Sequence, residues 1–317
     1  MFYFYILLFL ISCFLLFWSG KWLVDGLVKM ACFLKLREFV IAFFIVAVAG
    51  SAPNFFFGIL SALKGVPQLS FGDTIGGNLI DLTVIIALSV FVSKGIPARS
   101  KMVQSSAVFT FFIAILPLFL IFDGILSRGD GAVLISAFVF YVFWLFSKKE
   151  RFSKTYNGNK VSVKDFKDFF KGLGKVAFGI IILLAASKGM VEAAFYFGET
   201  FHFSLVFIGM FVVAIGNAFP EAYFTILSAR QGQNWMLLGD LMGVVIVAST
   251  LVLGIVAIIC PIEIASFSPY AVARFFLVMA ALFFLIFVRT DRKITKKEGL
   301  FLLGVYIAFV ITEILVK

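Results

Sequence analysis

Two acidic side chains lie inside strongly apolar segments of this sequence, where an ionised group needs a partner. Glu221 follows Pro220 at the centre of one segment, and Asp81 lies in another, one helical turn after Asn78. Inserting such a carboxylate into a membrane costs about 3 kcal/mol unless the group is paired, protonated or bound to a cation. Hard oxygen ligands of this kind suit Na⁺, Ca²⁺ or H⁺ rather than soft transition metals. We therefore predict that Glu221 and Asp81 bind a metal cation.

Two apolar segments also carry a proline beside small and polar residues. The clusters are Gly50-Ser51-Ala52-Pro53-Asn54 and Gly216-Asn217-Ala218-Phe219-Pro220-Glu221. A proline inside a span leaves a backbone carbonyl without its helical partner, and unwound backbone at membrane depth can coordinate a cation. The predicted helix breaks are Pro53, Pro220, Gly50 and Gly216. The predicted ion-binding side chains are Glu221, Asp81, Asn54, Ser51, Asn78 and Asn217.

Both clusters belong to one block that occurs twice, 167 positions apart and without a gap. The copies cover residues 49–81 and 216–248. Matched residues include Pro53 with Pro220, Gly72-Asp73 with Gly239-Asp240, and Gly76 with Gly243. A duplication that keeps proline, glycine and acidic residues inside apolar segments is typical of membrane transporters built from two related halves.

The composition indicates an all-α integral membrane protein. Hydrophobic residues make up 62% of the chain, charged residues make up 14%, and the mean hydropathy is +1.12, which excludes a soluble domain. At about 20 residues per span, the chain has room for roughly ten transmembrane helices. Apolar segments fall at 2–20, 38–62, 72–93, 104–122, 131–147, 173–195, 204–229, 238–262, 270–288 and 298–316. Residues 10–13 resemble a lipoprotein cleavage site, but no basic residue precedes them, so we expect an uncleaved first span.

The basic residues predict how the helices are oriented. If the lysine-rich stretch at 148–172 is cytoplasmic, most of the 27 basic residues lie on its side; the exceptions are Lys64, Arg128, Lys188, Arg274 and Lys317. The positive-inside rule then puts both termini outside. Each half holds five spans, an odd number, so the halves are inverted. We predict a first five-helix repeat at 1–147, a basic cytoplasmic linker at 148–172 and a second, inverted repeat at 173–317, in a prokaryotic plasma membrane.

The repeated block resembles the signature of the calcium/cation antiporter superfamily, which includes the sodium/calcium exchangers. Each repeat of that family carries Gly-Thr-Ser-x-Pro-Glu, followed on the next span by Gly-x-x-Gly-Ser-Asn-x-x-Asn/Asp. The residues that keep these motifs here are Ser51, Pro53, Pro220, Glu221, Gly76, Asn78 and Asp81. The resemblance implies a ten-span antiporter whose motif glutamates, with nearby polar residues, coordinate Ca²⁺ and Na⁺ in turn.

The chain departs from these motifs at several ligand positions. Asn54 stands in place of the first glutamate, and Gly50 stands in place of its threonine. In the second copy, Asn217 and Ala218 replace the Thr-Ser pair. Apolar residues occupy three positions where polar ligands are expected, namely Val244, Val245 and Ala248. The two remaining carboxylates are enough to neutralise one Ca²⁺, but the polar groups are few for several Na⁺ ions.

Three functional hypotheses fit the sequence. The first is an antiporter that exchanges Ca²⁺ for Na⁺ or H⁺ by alternating access. The second is a transporter of another cation, or one that has lost ion coupling. The third is an intramembrane aspartyl protease built on Asp73 and Asp240, although its Gly-x-Gly-Asp motif would need glycine at Ser70 or Leu237. Because acidic residues stabilise helix N-termini, we predict instead that Asp73 and Asp240 cap helices.

The expected partners are inorganic cations and membrane lipid, with no cofactor, no enzyme activity, no nucleic acid and no required protein partner. The three cysteines have no motif spacing and His202 is the only histidine, so we expect neither a disulfide framework nor a histidine metal site. A purely structural role stays open for Asn78 and Asn217, which can hydrogen-bond between helices.

Overall fold

The structure, a computed structural model, describes residues 1–33, 50–93, 95–147, 163–230, 232, 234–264 and 267–316. Ten helices follow one another in these ranges. They are α1 (Phe2–Phe33), α2 (Ala52–Leu63), α3 (Gln68–Ser93), α4 (Lys101–Leu120), α5 (Arg128–Ser147), α6 (Val163–Phe201), α7 (Leu205–Arg230), α8 (234–259), α9 (Phe267–Thr290) and α10 (Lys296–Val316). Nine are long and apolar enough to cross a membrane, and α2 is a shorter apolar helix. The predicted all-α membrane fold is confirmed.

Helices α1 and α6 are longer than the apolar segments that predicted them. α1 continues past residue 20 to Phe33, and α6 begins at Val163, inside the predicted linker. Lysine has good helix propensity, so a helix can extend beyond its apolar part. Apolarity therefore marks the part of a helix that can lie in the membrane, but not the ends of the helix. Residues 148–162 of the predicted linker lie outside the described residues.

Two pairs of short antiparallel strands show that the halves are inverted. β1 (Ile96–Pro97) follows α3 and pairs with β4 (Lys293–Ile294), which lies between α9 and α10. β2 (Ile125–Leu126) lies between α4 and α5 and pairs with β3 (Ile262–Glu263), which follows α8. Because α4 runs from β1 to β2, the two strand pairs lie at opposite ends of the helices. The third helix of each half therefore ends at an opposite side of the protein.

Matching capping boxes start the fifth helix of each half. Before α5, the N–H and hydroxyl of Ser127 donate to Asp130 Oδ2 at 2.8 and 2.6 Å. Before α10, the N–H and hydroxyl of Thr295 donate to Glu298 Oε2 at 2.6 and 2.8 Å. A return bond runs from each acidic residue's N–H to the hydroxyl oxygen. Such a box satisfies N–H groups that lack helical partners, and the cap contributes about 1 kcal/mol.

Glycines bring α3 and α7 into direct backbone contact at the centre of the protein. A Cβ atom on Gly76 would lie 2.7 Å from the Cα of Met210, and one on Gly72 would lie 3.0 Å from the Cα of Gly209. Backbone atoms cannot move aside as a flexible side chain can, so only glycine fits at this crossing. The contact holds the third helix of the first half against the second helix of the other half.

Replacing Gly76 by alanine should therefore destabilise the protein, whereas the same change at the next residue should not. Overpacking of this kind costs about 1–3 kcal/mol. A Cβ on Gly77 meets no atom within 4 Å among the described residues, so Gly77→Ala is the matched control. Thermal unfolding of both variants in detergent measures the difference. Equal melting temperatures for Gly76→Ala and the wild type would contradict the close crossing.

Candidate functional site

Four helices form the centre of the protein, with α2 and α3 of the first half packed against α7 and α8 of the second. Buried polar side chains are concentrated on these helices. Among them are Ser51, Asn54, Asp73, Asn78, Asp81, Asn217, Glu221, Thr225, Asp240, Ser249 and Thr250, none more than 8% exposed. We call this group the polar core. It contains all six side chains predicted to bind ions. Burying so many polar groups is unfavourable unless they bind one another or a ligand.

Three asparagine side chains of the polar core connect the two halves of the protein. Asn54 Nδ2 donates to Glu221 Oε1 at 3.4 Å, Asn217 Nδ2 donates to Asp73 Oδ2 at 3.0 Å, and Asn78 Nδ2 donates to Ser249 Oγ at 2.7 Å. Asn54 and Glu221 occupy equivalent positions of the repeat. Asn78 and Asn217 thus hydrogen-bond between helices, and each bond uses only an N–H group of the amide.

Several oxygen atoms of the polar core have no hydrogen-bond partner within the described residues. They include the Oδ1 atoms of Asn54, Asn78, Asn217 and Asp81. Leaving a buried acceptor unpaired costs about 1–3 kcal/mol, and more when it is charged. Asparagine and aspartate oxygens are ligands that Na⁺ and Ca²⁺ accept. All four residues belong to the predicted ion-binding set, so the unpaired atoms point to a cation.

The charges of the polar core lead to the same conclusion. The carboxylates of Glu221 and Asp81 lie close enough to those of Asp73 and Asp240 to repel them. Among the residues that the structure describes, no lysine, arginine or histidine forms an ion pair with any of the four. Buried like charges are strongly unfavourable without compensation. A bound cation would supply that compensation.

The polar core is not a conventional acidic metal cluster. Over the described ranges, no three histidine, cysteine, aspartate or glutamate side chains converge closely enough to hold one metal ion. A cation bound here would need amide, hydroxyl or backbone oxygens as well as carboxylates. That requirement matches the unpaired amide oxygens and favours a hard alkali or alkaline-earth cation over a transition metal.

Wider helical turns interrupt the third helix of each half at the level of the polar core. A π-helical turn covers Asp81–Ile85 in α3, and another covers Ala248–Val252 at the equivalent position of α8. In each turn a threonine hydroxyl, Thr83 or Thr250, donates to the carbonyl four residues earlier. Such turns loosen the regular backbone bonding and occur frequently at functional sites. The duplication has preserved this distortion in both halves.

The predicted helix break at Gly216 and Pro220 is wrong. Ala214–Arg230 is one continuous helix with Pro220 inside it, and the irregular turn of α7 lies earlier, at Gly209–Val213. Proline removes one N–H, and neighbouring helices and local backbone adjustments compensate for the missing bond. In the first half, α2 begins at Ala52 with Pro53 in its first turn, and Gly50 and Ser51 precede it. A helix break before Pro53 would involve residues 34–49, and these lie outside the described residues.

The prediction that Asp73 and Asp240 cap helices is also wrong. Asp73 is the sixth residue of α3, which begins at Gln68, and Asp240 is the seventh residue of α8. Both side chains point into the protein and are at most 3% exposed. Asp240 Oδ2 accepts a bond from Thr225 at 3.5 Å. Besides the six predicted side chains, the polar core thus contains residues that sequence reasoning missed, although the matched Gly-Asp pairs were a visible signal.

A cavity of about 290 Å³ reaches the polar core from one side. Glu221, Asp240 and Gly50 line it, together with Lys21 and Asp25 of α1. An ion pair of 3.6 Å joins Asp25 to Lys175 near the start of α6, so the outer part of the cavity lies at the linker end of the protein. Lys21 belongs to α1, because that helix continues beyond the apolar segment at 2–20. Two of the four carboxylates, those of Glu221 and Asp240, therefore line a cavity at the linker end.

The bond between Asn78 and Ser249 provides a test of the connection between halves. In a double-mutant cycle of Asn78→Ala and Ser249→Ala, we expect a coupling free energy of about 0.5–1.5 kcal/mol. The measurement is thermal or denaturant unfolding in detergent. The additive control combines Asn78→Ala with Ser136→Ala, because the exposed hydroxyl of Ser136 bonds only within its own helix. Additive effects in the first cycle would mean that this bond contributes nothing.

Comparisons with known proteins agree with the geometry. The sequence profile of the sodium/calcium exchanger protein family matches residues 4–147 and 171–315. The putative antiporter CaxA of Alkalimonas amylolytica is 24% identical over 95% of both chains. The sodium/calcium exchanger MaX1 of Methanosarcina acetivorans is 23% identical over 88% of this chain and 89% of its own. A solved structure of the sodium-calcium exchanger NCX_Mj has the same fold, with a TM-score of 0.69 at 22% identity over 98% of each chain. This chain belongs to the sodium/calcium exchanger protein family, a family of membrane cation antiporters.

Proposed function

We propose that this protein is a secondary active antiporter that exchanges Ca²⁺ for Na⁺ or H⁺ by alternating access at the polar core. The observation that carries the proposal is the set of buried oxygens with no hydrogen-bond partner in the described chain, on Asn54, Asn78, Asn217 and Asp81. Glu221 and Asp81 are the proposed charged ligands of the cation. The proposed neutral ligands are Asn54, Ser51, Asn78 and Asn217.

Calcium fits the number and kind of ligands. Ca²⁺ takes about six to eight oxygen ligands, which carboxylates, amides, hydroxyls, backbone carbonyls and water can all supply. Two carboxylates balance its charge, so no third acidic group needs to converge on it. The amides also tolerate Na⁺, which allows two different cations to compete for the same oxygens. Competition of this kind is what an exchanger requires.

The charge of the polar core favours exchange over simple release. When no cation is bound, the carboxylates of Glu221, Asp81, Asp73 and Asp240 repel one another inside a low-dielectric protein. An empty core therefore resists being sealed from water. A core filled by either cation loses this penalty and can change conformation. The inverted halves supply two conformations of similar energy, each open to one side.

A second candidate is exchange of a different cation in place of Ca²⁺. Val244, Val245 and Ala248 are buried on α8, where the family's motif has polar ligands. Fewer ligands from α8 would weaken the binding of an ion that demands high coordination. The aspartyl protease hypothesis has no comparable support, since Asp73 and Asp240 bond to different partners, Asn217 and Thr225.

Transport of ⁴⁵Ca²⁺ into proteoliposomes tests the function directly. With an outward Na⁺ gradient, or separately an outward H⁺ gradient, we expect uptake in the wild type and a loss of at least about tenfold in Glu221→Gln, because a charged ligand is removed. Glu199→Gln is the matched control, since Glu199 is exposed on α6. The gradient that drives uptake identifies the coupling ion.

Two results would count against this assignment. If folded wild-type protein takes up no ⁴⁵Ca²⁺ under either gradient, calcium is not the substrate, and other cations must be tested in the same vesicles. If uptake occurs and Glu221→Gln keeps it, the cation does not bind at Glu221. A monodisperse chromatographic profile for each variant excludes misfolding as the cause.

For the orientation we propose that both termini lie outside a prokaryotic plasma membrane and that the linker at 148–172 lies in the cytoplasm. The positive-inside rule supports this arrangement. In a variant lacking the native cysteines, an impermeant maleimide added to intact cells should label Lys317→Cys and leave Asn157→Cys unlabelled. Permeabilised cells provide the control, in which both positions should react. The reverse labelling pattern in intact cells would show that the protein has the opposite orientation.

A further inference from the structure

The repeat is asymmetric at one pair of contacts around the polar core. In the repeat register, Asp73 of α3 corresponds to Asp240 of α8, and Asn217 corresponds to Gly50. Asn217 Nδ2 lies 3.0 Å from Asp73 Oδ2 and donates a hydrogen bond to it. The equivalent place opposite Asp240 has no side chain, because Gly50 stands there. A Cβ atom on Gly50 would lie 3.7 Å from Asp240 Oδ1.

The space that this missing side chain leaves belongs to the cavity at the linker end. Gly50, Asp240 and Glu221 all line that cavity. The other oxygen of Asp240 has a long bond of 3.5 Å from Thr225. Asp240 is thus a carboxylate that is 2% exposed, lines the cavity, and lacks among the described residues the amide partner that its counterpart has.

A neutral oxygen without a partner in the described chain belongs to a residue that contacts one of these carboxylates. The amide of Asn54, four residues after Gly50, donates to Glu221 Oε1 at 3.4 Å, so its carbonyl oxygen lies near that carboxylate. That oxygen is buried and accepts no hydrogen bond from any described residue. Two carboxylates that line one cavity, and an unpaired amide oxygen next to one of them, are the kinds of ligand that a hard cation takes.

We propose that Asp240, Glu221 and Asn54 form a separate cation subsite at the inner end of the cavity, where a cation arriving from the linker side binds before it reaches Asp81. The proposal rests on the proposed transport function and adds a ligand, Asp240, that the family's motifs do not include. Asp240 restores at the cavity the negative charge that Asn54 lacks. Asp73, bonded to Asn217, takes no part in this conformation.

The test is equilibrium binding of ⁴⁵Ca²⁺ and of ²²Na⁺ to the purified protein, combined with the KM for ⁴⁵Ca²⁺ uptake. We expect Asp240→Asn to weaken binding of one or both ions by about tenfold or more, since even the loss of a group that only orients a metal ligand typically costs that much. The equivalent change in the other half, Asp73→Asn, should weaken it several-fold less. Equal effects of the two changes would overturn the proposal.

A second variant keeps the test decisive if Asp240→Asn fails to fold. Gly50→Asn places an amide opposite Asp240, as Asn217 does for Asp73, and should weaken cation binding without removing any charge. Gly50→Ala is its matched control, since a Cβ there makes only ordinary contacts of 3.7 Å or more. Binding unchanged in Gly50→Asn, with the variant folded, would also overturn the subsite.

The outcomes separate this proposal from the transport function. Wild-type protein that binds neither Ca²⁺ nor Na⁺ would overturn both. Wild-type protein that binds and transports Ca²⁺, and whose binding is unaffected by Asp240→Asn, would overturn the subsite alone. Loss of binding in Asp240→Asn with retention in Asp73→Asn supports both.

Discussion

Four carboxylates without a basic partner in the described chain are the constraint around which this protein is built. In a membrane-spanning interior, each ionised group must be compensated, because the surrounding lipid and apolar protein do not do so. Asn54 and Asn217 supply N–H groups to two of the carboxylates, which orients the acidic side chains without neutralising them. The remaining negative charge has to be removed by protonation or matched by ions from outside the chain. The need for such compensation is thus a property of the fold.

The inverted duplication is the way in which the chain collects these groups in one place. Neither half alone contains the complete core, since α2 and α3 need α7 and α8 to provide their hydrogen-bond partners. Glycines at the α3–α7 crossing allow backbones to touch, so short asparagine side chains can reach across. The two strand pairs join the halves at both ends of the helices. Packing and polar bonding therefore depend on each other.

The sequence predicted the membrane fold, the inversion and the main polar positions, because composition, repeat spacing and basic residues are properties of the chain itself. It did not predict which side chains meet. Asn54 and Glu221 lie at equivalent places in the repeat, and nothing in the sequence alone showed that they bond to each other. Asp73 was misassigned because its apolar segment begins near residue 72, whereas the helix begins at Gln68. The path of α7 through Pro220 depends on neighbouring helices, which local propensity does not describe.

The repeat spacing also says something about the history of the two halves. Asn54 and Glu221 are 167 positions apart, and so are Asp81 and Ala248, where the two π-helical turns begin. The spacing between equivalent residues becomes 168 positions at the capping boxes of Ser127 and Thr295. Within the site-bearing helices, one inserted residue would rotate every later side chain by about 100°. Side chains at matched positions differ, as Asn54 differs from Glu221 and Asp81 from Ala248. The number of residues between matched positions has not changed. Since the duplication, the halves have diverged in side chains within the core and in length only outside it.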